Sequence, residues 1–193
     1  MENSNPISPK TEKKSSWRHP AIQRMCFVGV FTALMCVLSP LSIPIEPISI
    51  TMATLVLYFI GALLDWKWSS LVVLLYLLLG SVGLPVFSKF QGGFQVILGP
   101  SGGFLIGYLP CVILESLLIG FFKDKKWMYP IAMIAGTIVL YAIGVLWFML
   151  YLGNGFGKAM AACVIPFLPG DALKIAVASI FSLRLRPLFD KKR

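Results

Sequence analysis

Apolar residues in this chain come in long continuous runs, not in the alternating pattern of a half-buried strand. Six runs approach the roughly 20 residues a helix needs to cross a bilayer. They are 22–38, 48–64, 69–84, 104–122, 130–152 and 171–189. Continuous runs exclude a membrane barrel, whose strands alternate outward apolar and inward polar residues. The pattern predicts an all-α integral membrane protein, a compact bundle of six transmembrane helices. The third run is short and is broken by Gly80, Gly83 and Pro85, residues that end helices.

Charge orients these runs. Of the 17 Lys and Arg residues, all but Lys89, Lys158 and Lys174 lie at the two ends of the chain, up to Arg24 or from Arg184 onward, or between runs two and three or four and five. Cytoplasmic flanks are enriched in Lys and Arg, so both termini are expected in the cytoplasm. An even number of spans follows. Trp66, Trp68 and Trp127 fall at the same cytoplasmic ends, where an aromatic belt forms. The net charge of +9 is accounted for by these flanks, so no nucleic-acid partner is expected. A composition of 58% hydrophobic and 13% charged residues and a mean hydropathy of +0.83 leave too little polar surface for a soluble domain. Residues 1–17 read as a disordered basic cytoplasmic tail, and 18–193 as a single six-helix domain. A long polar tail ahead of the first run is unlike a cleavable signal peptide. Cys26, Cys36, Cys111 and Cys163 have unrelated spacings, so neither a disulfide framework nor a metal site is expected.

The outward connections carry the chemistry. The first, 39–50, holds Pro40, Pro44 and Pro47 with Glu46. Such proline density stiffens the chain and excludes helix, which suits either a lid or an ordered turn. The second runs GLPVFSKFQGGFQVILGPSGGFLIGY. Its glycines let backbone approach a ligand, Phe87 and Phe90 offer apolar walls, and Gln95 and Ser101 offer hydrogen bonds. Gly99, Gly103 and Gly107 are spaced by four, as at tightly packed helix pairs. The start of this segment is expected to line a pocket and its helical end to pack. The third, GNGFGKA, fails as a phosphate loop: Leu152 stands where the first glycine belongs, and Ala159 replaces the hydroxyl residue.

Asp171 and Lys174 open the last run within PFLPGDALK. At a spacing of three they share one helical face, and ionisable groups inside membrane segments mark functional sites by default. Asp171 could alternatively cap the helix, and Lys174 could snorkel to the surface. Together on one face, beside a glycine-aromatic loop, they point to a polar site inside an apolar pocket. A carboxylate accepts N–H bonds from a urea-like group, and an ammonium holds a carboxylate. Tyr151 is a further candidate wall. His19, the single histidine, lies in the tail, and no nucleophile–base or metal constellation exists, so no enzyme activity is expected.

YLLLGSVGLPVF, GPSGGFLIGY and PFLPGDALK, in this order, resemble the signature segments of BioY-type proteins, the biotin-specific substrate-binding subunits (S components) of energy-coupling-factor vitamin transporters. The resemblance covers nearly the whole chain. It implies high-affinity biotin capture on the outer side of a prokaryotic cell (plasma) membrane; the chemistry of the residues makes Asp171, Lys174, Ser101, Gln95, Gly99, Phe87, Phe90 and Tyr151 the candidate contacts. It implies a transmembrane coupling protein and two ATPase subunits as partners, and no cofactor, biotin being the ligand. Small residues on the first span, Gly29 and Ala33 here, would dock the coupling protein, or else pack within the bundle. One departure is Ala53, where relatives carry Gln before Thr54-Leu55. The alternatives are the same architecture with another small vitamin, or an ion-coupled small-molecule carrier.

Overall fold

The computed structural model describes residues 20–43, 49–122, 125–153 and 155–190. Eight α-helices lie among them: α1 (Pro20–Leu38), α2 (Ala53–Leu63), α3 (Trp66–Ser81), α4 (Phe94–Leu98), α5 (Gly102–Phe121), α6 (Met128–Leu152), α7 (Phe156–Cys163) and α8 (Leu168–Asp190). Six coincide with the six apolar runs. The two short additions, α4 and α7, fold from the glycine-rich outward connections. The tail 1–17 and the 44–48 part of the expected lid, with Glu46, lie outside the described residues.

The second run forms a shorter helix than expected, and not every run reaches spanning length. α5 and α6 are long and apolar enough to cross a membrane, and α7 and α8 are so only together, bent by 49° at the break between them, as in a broken span or a re-entrant loop. α1, α2 and α3 fall short. At a rise of 1.5 Å per residue, α2 is only about 16 Å long. Its expected first turn instead forms strand β2 (Ile50–Thr51), antiparallel to β1 (Ser42–Ile43), with Ser42 opposite Thr51. α3 stops at Ser81, where Gly83 takes φ +114°, a conformation that costs glycine little.

α2 is the centre of the bundle. Nine of its 11 residues are buried, as expected of a helix that is apolar all round. It packs on α8, α5 and α1. The most extensive helix contact is between α5 and α6, and glycine makes it possible. Gly103 faces Trp147 and lies 3.2 Å, measured from an added Cβ, from the carbonyl of Ile143; Gly107 faces Leu140; and in return Gly144 of α6 receives the Phe104 ring. A valine at 103 is expected to overpack this seam, costing about 1–3 kcal/mol. Thermal unfolding of the purified chain checks this, with Gly120→Val, at a position open on all sides, as the neutral comparison.

Polar groups inside the bundle are largely cross-linked. Tyr58 and Thr137 share a hydrogen bond of 2.7 Å, and Ser116 donates to Ser69 across α5 and α3 at 2.9 Å. Glu115 is fully buried, wedged against Gly61 and Gly136; neither of its oxygens has a hydrogen-bond partner among the described residues.

Candidate functional site

A cavity of about 540 Å³ opens where the C-terminal ends of α1, α3 and α6 meet the N-terminal ends of α2, α5 and α8. Its volume falls in the range of small-molecule sites. Its base is charged. α8 starts at Leu168, and the Asp171 N–H already bonds the Phe167 carbonyl at 2.8 Å. Asp171 therefore sits inside the first turn and its carboxylate is directed at neighbouring helices, not used as a cap. Pro169 fits this first turn because the N–H it lacks would have no intrahelical partner there.

The carboxylate is a hub for three helices. Tyr141 of α6 donates to Oδ2 at 2.6 Å, Thr54 of α2 donates to Oδ1 at 3.3 Å, and Lys174 of α8 pairs with Oδ1 at 3.1 Å. Lys174 does not snorkel outward. It is buried, and its Nζ also donates to the Thr51 carbonyl at 2.8 Å and to Thr54 Oγ1 at 2.9 Å. An ammonium has three donors, and all three are engaged. A carboxylate has about four acceptor directions, and three are taken, which leaves Oδ2 one for a ligand.

The walls are aromatic. Phe104 and Phe167 stack with centroids 6.3 Å apart. Phe87 is fully buried and stands edge-on to Tyr76 at 5.5 Å. Gly80 lets Phe87 lie there, since any Cβ at Gly80 would enter the ring. Tyr76 in turn shares a 2.6 Å hydrogen bond with Ser39 at the end of α1. The rim comes from the glycine-rich segment. Gly93 donates to the Gly80 carbonyl at 2.7 Å, Gln95 Nε2 to the Gly92 carbonyl at 3.0 Å, and Trp147 Nε1 to the Gly99 carbonyl at 2.9 Å. The segment thus has the two uses expected of it: Gly99 and Ser101 line the cavity, whereas Gly103 and Gly107 pack on α6.

Of the candidate contacts, Asp171, Lys174, Ser101, Gln95, Gly99, Phe87 and Tyr151 all line this one cavity. Phe90 does not; it is 65% exposed on the outer surface. The turn that places Phe87 inward rotates Phe90 away. Thr51, Thr54 and Tyr141 were not among the expected contacts. Ala53, at the position of the missing glutamine, is fully buried, and its neighbours Thr51 and Thr54 supply the contacts to Lys174. Gly29 and Ala33 are exposed on α1, beside Met25 and Val30, and nothing lies within 4 Å of a Cβ added at Gly29. They are not packed within the bundle.

A family model described as BioY family matches residues 9–191. The chain is 36% identical to a protein of Thermotoga maritima named biotin transporter BioY, over 86% of this chain and 98% of that one. It is 32% identical to biotin transporter BioY2 of Lactococcus lactis, over 83% of this chain and 88% of that one. Among solved structures, a crystal structure of the S-component for biotin from an ECF-type ABC transporter superposes with a TM-score of 0.81 at 26% identity, covering 86% of this chain and 92% of that chain.

Proposed function

The chain belongs to the BioY family, and on that premise we propose that it captures biotin as the substrate-binding subunit of an energy-coupling-factor importer. The relatives are transporters, and the chain is not an enzyme. The observation that carries the ligand assignment is the buried Asp171 hub at the base of an aromatic-walled cavity. Oδ2 has an acceptor direction left for one ureido N–H of biotin. Phe104, Phe167 and Phe87 suit the thiophane ring and the alkyl chain. Lys174 pairs with Asp171 and orients its carboxylate.

In this reading six helices cross the membrane with both termini cytoplasmic. The support is the charge pattern: the cavity lies at the end of the bundle away from Lys67, Lys125 and Lys126, and positively charged connections stay inside. The cavity then faces outward. The short α1, α2 and α3 are compatible with this, since bilayers thin around short helices at modest cost. The exposed small-residue face of α1, Gly29 and Ala33, docks the transmembrane coupling protein, and two ATPases complete the importer.

Labelled biotin offered to right-side-out membrane vesicles tests the reading. Saturable capture competed by unlabelled biotin, but not by thiamine or riboflavin, is expected. Capture competed by another vitamin would reassign the ligand. Gly29→Leu is expected to abolish co-purification with the coupling protein while leaving capture intact; loss of capture as well would place Gly29 in bundle packing.

A further inference from the structure

We propose that Lys89, at the mouth of the cavity, holds the carboxylate of the ligand, and that the buried Lys174 does not. The proposal rests on the biotin reading and assigns the end of the ligand remote from the ureido group. It starts from the donor count at Lys174. Its three N–H groups bond Thr51, Thr54 and Asp171 at 2.8, 2.9 and 3.1 Å. Binding a ligand carboxylate would strip one of these from a buried site, and an unmade buried hydrogen bond is costly.

Among the described residues, the charged ones lining the cavity are Asp171, Lys174 and Lys89. The first two neutralise each other, so the described lining carries a net charge of +1, and that charge is Lys89. Lys89 makes no ion pair with any described residue. A ligand with a neutral polar head and one ionised carboxylate complements this arrangement. The head enters the dry base, and the tail stays at the wetter rim.

The backbone at this rim is also held in an unusual form. The Gln91 N–H bonds the Ser88 carbonyl at 3.3 Å, and the Phe87 N–H bonds the Gln91 carbonyl at 2.9 Å. Between them Lys89 and Phe90 both take left-handed φ, 59° and 57°. Neither is glycine, and such conformations persist only where the surroundings enforce them. Here the Lys89 N–H and the Ser88 hydroxyl both bond Ser42 Oγ, at 3.3 and 3.2 Å. The result is that Phe87 points into the core, Phe90 points out and Lys89 stands on the rim.

The test uses purified full-length chain in lipid nanodiscs, with biotin and biotinamide, in which the carboxylate is a neutral amide. Lys89→Asn removes the charge while keeping a residue that tolerates left-handed φ. The wild type is expected to bind biotin about tenfold tighter than biotinamide, as for one charge-assisted hydrogen bond. Lys89→Asn is expected to lose that tenfold for biotin only, and Lys89→Arg to restore it. Raising salt should weaken biotin binding in the wild type and much less in Lys89→Asn. An unchanged preference in Lys89→Asn, or equal losses for both ligands, would overturn the assignment. Wild type that binds both ligands tightly and equally would remove the carboxylate anchor and leave the biotin reading standing. Wild type that binds neither would end both.

Discussion

Asp171→Asn is expected to weaken biotin binding by at least about thirtyfold, since breaking a buried hydrogen-bonded charge pair costs roughly 2–5 kcal/mol and 1.4 kcal/mol is tenfold. The reason is specific to this hub. An amide keeps the size of the side chain, but one of its two polar atoms becomes a donor. Tyr141 donates to Oδ2 and both Thr54 and Lys174 converge on Oδ1, so an NH₂ at either place meets a donor. The acceptor proposed for the ureido N–H is lost or redirected, and Lys174 loses its counter-charge. Equilibrium binding of the variant beside wild type checks this. Tight binding by Asp171→Asn would move ureido recognition away from α8.

Lys174→Met is expected to lower stability more than any other single change at the site. It strands the Asp171 carboxylate in a buried place, which costs about 3–5 kcal/mol; for a chain of this size that is a fall of roughly 10 °C in the thermal midpoint. The double variant Asp171→Asn, Lys174→Met removes both charges and is expected to recover most of that stability, because isolated buried charges cost more than absent ones. It should still bind biotin no better than Asp171→Asn does. The pair thereby separates folding from recognition. A double variant as unstable as Lys174→Met would show that packing of the lysine stem, not charge pairing, holds α8 against α2.

The arrangement of apolar runs made the helical bundle legible, because continuous apolar sequence has few other stable outcomes. What escaped was set by contacts distant in sequence. Ile48–Met52 reads as the start of a helix, yet the pairing of Ser42 with Thr51 draws part of it into a hairpin and shortens α2. α7 begins right after a glycine cluster that reads as loop. At the site, Asp171 and Lys174 stood out because charge is rare in apolar sequence. Tyr141 did not, because a tyrosine within an apolar run carries no sign of its partner 30 residues on. Thr54 was visible only as the neighbour of an absent glutamine. Its role appears when α2 and α8 are packed together, so that one hydroxyl accepts from Lys174 and donates to Asp171. Phe90 looked equivalent to Phe87, and only the left-handed turn between them sends one inward and the other out.

Calorimetric titration of biotin into the isolated, folded wild-type chain, with no coupling protein or ATPase present, tests the central claim most directly. One biotin bound tightly per chain, with the signal lost in Asp171→Asn, is the predicted result. No heat of binding from a chain whose thermal unfolding shows it to be folded would contradict the account, leaving a helical bundle of this family with a cavity that serves some other ligand.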